Sequence, residues 1–335
     1  MSRALVTGGG GFIGSHLVER LRARGDEVTI LARGHYPALE ARGVRAIRGD
    51  VTDPEVTRRA CEGADVIFHV AAKASVGVDL AAYAHTNVEG TRTMLASAQA
   101  VGVTRFVHTS TPSVVFSEAG HVGADERAPL TTSMLSPYAY TKARAEELVR
   151  AAATPTFRTV ALRPHLVWGP RDPQLTARLV DRARRGKLAL VGDGTALVDT
   201  TFVDNAVDAH LLAGDALARP DAPANGQAYF ISNGEPRAVE AIVGDIVAAC
   251  GAPRPTRHVP LAVAYGLGAL IELVFRLIRS EREPPMSRFL AINLATPHWF
   301  DLSAARRDLG YAPRVSVAEG LERLAAWSRS GGGES

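Results

Sequence analysis

Val6-Thr7-Gly8-Gly9-Gly10-Gly11-Phe12-Ile13-Gly14 stands between a short apolar run, Ala4–Thr7, and a helical pattern running from Ile13 to Arg24. A strand, a glycine turn and a helix in that order are what a dinucleotide-binding fold needs at its start. A Cβ in the turn would hold the backbone away from a pyrophosphate, and the free N–H groups opening the helix attract its charge. The four glycines permit two registers, G-x-G-x-x-G from Gly9 and T-G-x-x-G-x-x-G from Thr7. A glycine pattern by itself says little; this one gains its meaning from its position after the first strand.

Working outward, compact apolar runs recur at Val28–Ala32, Val44–Arg48, Val66–Val70, Phe106–Thr109 and Val160–Arg163. Helical patterns separate them, notably Asn87–Ala100 and a stretch from about Tyr138 to Ala152. Alternation of this kind predicts an α/β protein with a Rossmann-type, doubly wound parallel sheet. Past Pro164 the rhythm breaks into turn signals such as Gly169-Pro170 and Gly192-Asp193-Gly194. Residues 1–165 therefore read as the nucleotide-binding domain and 166–327 mainly as a smaller C-terminal substrate-binding lobe. Segments within about 200–232 are expected to return to the first domain, with Ala228–Ser232 as a strand. Ser328–Ser335 read as a disordered tail.

The 335 residues are 46% hydrophobic and 22% charged, an ordinary globular balance. A net charge of +3, with no dense basic block interleaved with aromatics, argues against nucleic acid as a partner. Cys61 and Cys250 lie far apart and outside any metal-ligand spacing, so neither a disulfide framework nor a metal site is expected. With Ala4–Val6 already reading as a strand, the expectation is a cytoplasmic chain without a leader.

The second strand ends Leu31-Ala32-Arg33, where an NAD site usually places a carboxylate. An arginine there suits a 2′-phosphate, which predicts NADP(H) over NAD(H); the alternative is a surface Arg that merely follows the strand. Asp50, in Arg48-Gly49-Asp50-Val51, is placed to accept a hydrogen bond from an adenine amino group, or else to cap the next helix. Tyr138-Ala139-Tyr140-Thr141-Lys142 puts Tyr138 and Lys142 on one helix face. A cationic Lys142 beside the phenol would lower its pKa towards neutrality and make Tyr138 an acid or base for interconverting carbonyl and alcohol. Ser110 and Thr111, closing the fifth strand, could offer a hydroxyl to the substrate oxygen or simply cap a loop.

Thr7-Gly8-x-x-Gly11-x-x-Gly14, Gly49-Asp50, Ser110-Thr111, Tyr138-x-x-x-Lys142 and Leu162-Arg163-Pro164 with Gly169-Pro170 together resemble the extended short-chain dehydrogenase/reductase family. The resemblance implies that Tyr138 transfers the proton, Lys142 holds the nicotinamide ribose, and the catalytic hydroxyl falls on Thr111, with Ser110 as its neighbour. It also implies a cofactor cleft lined by Gly8, Gly11, Phe12, Ile13, Gly14, Arg33, Asp50, Val51, Ala71, Ala72, Lys73 and Pro164. Members acting on nucleotide sugars usually carry Asn where this chain has His165, and Arg where it has Val198. A diphosphate would lack its cationic partner, so an epimerase or dehydratase of sugar nucleotides is disfavoured.

The stretches Gly34-His35-Tyr36-Pro37, Ser110-Thr111-Pro112-Ser113-Val114, Val198-Asp199-Thr200-Thr201, Phe230-Ile231-Ser232-Asn233-Gly234-Glu235-Pro236, Glu283-Pro284-Pro285-Met286 and Thr296-Pro297-His298-Trp299 resemble the 3β-hydroxysteroid dehydrogenase-like branch. Closer still, they are similar to the bacterial 2-alkyl-3-oxoalkanoate reductases of long-chain olefin biosynthesis. That resemblance implies reduction of a fatty 3-keto acid with NADPH. The rivals are a sterol 3β-hydroxy dehydrogenase and a non-catalytic NADP-binding sensor or scaffold. Leu261–Ile278 is apolar but interrupted by Glu272 and Arg276, and it admits three readings: a core helix, a lid over an acyl chain, or a helix on a membrane surface. The expected partners are thus a small apolar keto or hydroxy substrate, a second copy in a homodimer, and a membrane surface or partner enzyme met through residues 261–288.

Overall fold

A computed structural model describes residues 1–74, 77–278 and 283–332. Seven strands form one parallel sheet: β1 (Arg3–Thr7), β2 (Glu27–Ala32), β3 (Arg45–Arg48), β4 (Val66–His69), β5 (Arg105–Thr109), β6 (Arg158–Pro164) and β7 (Gln227–Ile231). Their spatial order is β7-β6-β5-β4-β1-β2-β3. The chain winds outward in both directions from β1, so the connections after β1 and β4 diverge and leave a crevice at the carboxyl ends of these strands. The expected doubly wound α/β sheet is present, and the returning strand at 228–232 is β7, hydrogen-bonded along β6. Both faces of the sheet are covered by helices, which is why β4 and β6 are buried along nearly their whole length rather than at alternate residues.

The helices that matter for the cleft are α1 (Phe12–Ala23), α2 (Pro54–Cys61), α3 (Gly90–Ala100), α4 (Pro137–Ala151), α5 (Leu175–Arg184), α6 (Val203–Ala216), α7 (Val239–Ala249), α8 (Leu261–Leu277), α9 (Arg288–Ala295) and α10 (Val317–Trp327). Each of α2, α4, α9 and α10 begins at a polar side chain that accepts from its own first turn: Asp53, Ser136, Ser287 and Ser316. Asp53 is therefore the cap of α2, which removes the capping alternative for Asp50. Ahead of α3, Ala84–Glu89 form a π-turn continuous with a helical turn at Leu80–Tyr83. The helix expected from Asn87 thus starts seven residues earlier.

A second core lies between α5, α7 and α10, built on Trp168, Phe202, Ile242, Ile246 and Leu324. Segments exchange between the two parts of the chain, within the expected 200–232 and beyond it. Helix α6 packs on α1 and the main sheet, and Phe300, Leu302, Leu309 and Tyr311 belong to the first core. Conversely, His121–Ala124 from the first half pairs with His298–Phe300 in a small four-stranded sheet. That last pairing runs through strands of four and three residues, too short to carry a periodicity. Ser328–Gly332, read as part of a disordered tail, continue α10 as one wide turn; residues 333–335 lie outside the described residues.

Candidate active site

A cleft of about 770 Å³ runs along the carboxyl ends of the main sheet and on into the second lobe. Its first part is the glycine turn. Gly8 adopts φ +67°, and a Cβ on Gly14 would come within 2.2 Å of the Gly8 carbonyl oxygen. Gly14 is shared by both registers; the left-handed Gly8 belongs to the one counted from Thr7, and at Gly9 a Cβ would meet Ile30 Cγ2 at 2.4 Å, so both registers need their glycines. Helix α1 starts at Gly11 with no side-chain cap, so its leading N–H groups are left for an anion. Thr7 ties the turn to the neighbouring strand: its hydroxyl accepts from Ala71 N (3.1 Å) and meets His69 Nδ1 (2.8 Å). These backbone shapes fit a dinucleotide pyrophosphate.

Arg33, Gly34, Tyr36, Gly49, Asp50 and Val51 line the far end of the same cleft. Arg33 is exposed and makes no ion pair among the described residues, and Arg48 Nε donates to its carbonyl. Asp50 Oδ1 is already bonded to Thr52 N and Oγ1, which fixes the carboxylate at the cleft wall. Ala71 and Ala72 line the cleft as expected; Lys73 does not. Its ammonium lies over the Tyr83 ring at 5.4 Å, while its backbone N–H donates to Asn87 Oδ1. Asn87 also donates to Lys73 O and Thr141 Oγ1, so the π-turn turns one buried amide into a clamp between the β4 loop and α4. Nothing in the spacing around Asn87 announced this.

Thr111, Tyr138 and Lys142 come together at the middle of the cleft. The Thr111 hydroxyl lies close enough to the Tyr138 phenol to act on its proton affinity. Ser110, the neighbouring alternative, is turned inward: its hydroxyl donates to Glu146 Oε2 (2.6 Å), which also accepts from Arg163 in a fully buried ion pair. Thr111 lines the cleft, and its hydroxyl also caps the turn after β5, accepting from Ser113 N and donating to Ser113 Oγ, each at 3.3 Å. Lys142 corrects the simple picture of a lysine pressed against the phenol. Its ammonium donates to Thr109 O (2.6 Å) and His108 Nε2 (3.0 Å), and burial lowers its pKa to about 7. The Tyr138 phenol is not lowered towards neutrality; burial pushes it up to about 12, offset in part by the Thr111 hydroxyl. A phenol in this setting keeps its proton at neutral pH and can give it to a developing alkoxide.

Beyond Tyr138 the walls turn apolar, with Leu175 and Leu179 from α5, Ile242 and Ile246 from α7, and Phe289 and Leu294 from α9. Two histidines interrupt this lining. His165 follows Pro164 at the end of β6, and its Nδ1 lies 2.5 Å from Asp199 Oδ1. His298 Nδ1 lies 3.1 Å from His165 Nε2, and His298 Nε2 lies 2.6 Å from Asn293 O. His165 had been singled out only as the residue standing where Asn is usual, and its connection to His298, 133 residues away, could not be read from order along the chain.

Helix α8 contributes nothing to this wall. None of its side chains lines the cleft, and only Ala264, Gly268 and Glu272 are buried. Leu270, Leu273 and Leu277 are 59%, 53% and 74% exposed. The core-helix and lid readings of 261–278 are both overturned, because α8 packs against α9, and α9 is the helix that faces the cleft.

Residues 5–262 match the 3-beta hydroxysteroid dehydrogenase/isomerase family. The chain is 49% identical to a 2-alkyl-3-oxoalkanoate reductase of Stenotrophomonas maltophilia (strain K279a), over 97% of this chain and 99% of that one. It is 32% identical to the mouse (Mus musculus) sterol-4-alpha-carboxylate 3-dehydrogenase, decarboxylating, over 96% and 89%. Among solved structures, UDP-glucose 4-epimerase of Thermotoga maritima, with UDP-glucose, superimposes with a TM-score of 0.77 at 25% identity, covering 98% of this chain and 99% of that one. The fold is thus shared by reductases and epimerases, and only the residues in the cleft can separate them.

Proposed function

The chain belongs to the 3-beta hydroxysteroid dehydrogenase/isomerase family, and within it we propose that it reduces the 3-keto group of a 2-alkyl-3-oxoalkanoate to the alcohol with NADPH. It is an NAD(P)-dependent oxidoreductase of the extended short-chain type. The observation that carries the narrower reading is the join between two halves of one cleft: neighbouring Thr111 and Tyr138 hydroxyls open directly onto walls of Leu, Ile and Phe. A ketone with long alkyl arms fits there. A nucleotide diphosphate meets Val198 and two histidines instead of an arginine.

In this reading the Gly8–Gly14 turn and the start of α1 would hold the pyrophosphate, and the one ammonium N–H of Lys142 left over from Thr109 O and His108 would hold the nicotinamide ribose. Pro164, in the cleft wall, would border the nicotinamide, which when bound in reduced form would supply the hydride. Thr111 and Tyr138 grip the ketone oxygen, and Tyr138 donates its proton as negative charge develops there. Arg33, unpaired at the end of β2, prefers the 2′-phosphate of NADP(H), with Asp50 and Val51 against the adenine. The test is the kcat/KM for a 2-alkyl-3-oxo acid with each cofactor, beside a 3-ketosteroid. Keto-acid turnover faster with NADPH by about tenfold or more is expected from one charge-assisted contact. Preference for NADH would remove Arg33 from its role, and preference for the steroid would move the substrate reading to the sterol rival.

We also assign the outer face of α8 to an anionic lipid surface. Glu272, the one acid within 261–277, is buried and paired with Arg288 at 2.8 Å and Arg276 at 3.8 Å, so the exposed face carries aliphatic side chains and a half-exposed Arg276, with two cations to one acid. No helix of the described residues is long and apolar enough to cross a membrane, so α8 would lie along the interface. The protein should then sediment with phosphatidylcholine–phosphatidylglycerol vesicles, and Leu270→Glu should leave it in the supernatant. Failure of the unaltered protein to bind, together with a dimer that Leu270→Glu dissociates, would give this face to a second copy instead.

A further inference from the structure

The His165–His298 pair has a proton count that its hydrogen bonds fix. Asn293 O can only accept, so His298 Nε2 carries a proton. Asp199 collects Ser232 Oγ (2.8 Å), Phe300 N (3.2 Å) and His165 Nδ1 (2.5 Å), the surroundings of an ionised carboxylate, so His165 Nδ1 carries a proton as well. A third proton must lie in the contact between His165 Nε2 and His298 Nδ1. Two imidazoles holding three protons bear one positive charge. The Asp199 carboxylate lies against the His165 ring, which places the charge there, with Nε2–H as the donor to His298 Nδ1.

This imidazolium sits in the wall of a cavity whose other polar lining includes Ser113, Gln174, Thr200 and Asn293, all uncharged. The other charged or ionisable groups lining the cleft are committed elsewhere. Arg33 and Asp50 are at its far end, Lys142 is held by Thr109 O and His108, and Asp172 caps the start of α5 through Gln174 N, Leu175 N and Thr176 N. A 3-oxo acid brings a carboxylate into this space, and a carboxylate without a cationic donor would be expelled from it.

We propose that His165 is the carboxylate subsite of the substrate cavity, its Nε2–H resting on His298 until the acid group of an acyl substrate takes it. The inference rests on the 3-oxo-acid reading for its substrate, and it adds a specificity residue outside the Thr111–Tyr138–Lys142 set. His298 holds the donor in place and gives it up to a stronger, anionic acceptor. Asp199 keeps the ring charged and oriented, as the carboxylate behind a histidine does.

Two experiments on the NADP(H)-loaded protein decide the point. In the oxidative direction, kcat/KM is measured for a 2-alkyl-3-hydroxy acid and for its methyl ester. The unaltered enzyme should favour the acid, and His165→Gln, which keeps a donor but no charge, should cut the acid-to-ester ratio by about tenfold or more. An unchanged ratio, with both substrates slowed alike, would make the histidine structural and overturn the proposal. Separately, calorimetric titration compares octanoate with octan-1-ol. Octanoate should bind more tightly, and His165→Gln and His298→Gln should each weaken octanoate more than the alcohol. Equal affinities in the unaltered protein would end the carboxylate assignment, whatever the enzyme turns over. If neither hydroxy substrate is oxidised while octanoate keeps its advantage, the subsite stands and the 3-oxo-acid reading fails.

Discussion

Tyr138→Phe is expected to lower kcat by about a thousandfold, within the range general acids contribute, while NADPH binds as before. The substitution removes one oxygen. It leaves the ring packed at the start of α4 and leaves Lys142 on Thr109 O and His108. What disappears is the proton that neutralises the new alkoxide and one of two hydrogen bonds to the ketone oxygen. Thr111→Ala removes the other and should cost less, since it supplies no proton. Because burial holds the phenol near 12, the reductive rate should stay flat through neutral pH on account of this group. A rate falling between pH 6 and 8 in step with Tyr138 ionisation would restore the lowered phenol that the Tyr-x-x-x-Lys spacing suggested. NADPH titration, steady-state kinetics and a pH profile of the two variants check all of this.

Glu146→Ala should have the largest effect on folding, about 3–5 kcal/mol in a urea titration. Glu146 and Arg163 are fully buried, bonded at 2.6 and 3.1 Å, and Ser110 closes the network from β5. Removing the carboxylate leaves a guanidinium without a counter-charge in a dry interior, where one of its nitrogens, Nη1, already lacks a partner. Against a typical total of about 5–15 kcal/mol, that is enough to unfold much of the chain at body temperature. Arg163→Met added to Glu146→Ala should recover part of the loss, because an apolar pair of similar volume costs less than one stranded charge. If the double variant is no more stable than the single one, the ion pair is not the source of the loss.

The fold was legible because its signals are local. Each main strand is a short apolar run closed by a turn, and the glycine turn marks the first crossover. Thr111, Tyr138 and Lys142 were legible for the same reason: each lies in a short motif at a strand end or helix start. The structure brings them into one cleft, although the way Lys142 is held differs. What the sequence hid is set by contacts between distant segments. His165, Asp199 and His298 meet from three elements, Asn87 works through a π-turn, and Lys73 is drawn to Tyr83 instead of the cleft. Helix α8 misled differently. Its apolar run promised burial, but composition cannot say whether a partner inside the same chain exists to cover it.

The central claim, that this cleft carries a hydride to the ketone of a 3-oxo acid, is tested most directly by isotope transfer. NADPH deuterated at the reactive carbon of its nicotinamide is incubated with the protein and a 2-alkyl-3-oxo acid, and the product is examined by mass spectrometry and NMR. One deuterium bound to carbon 3 of the resulting 2-alkyl-3-hydroxy acid is the predicted result. Recovery of the keto acid unlabelled, with the same protein instead interconverting UDP-glucose and UDP-galactose, would contradict the account.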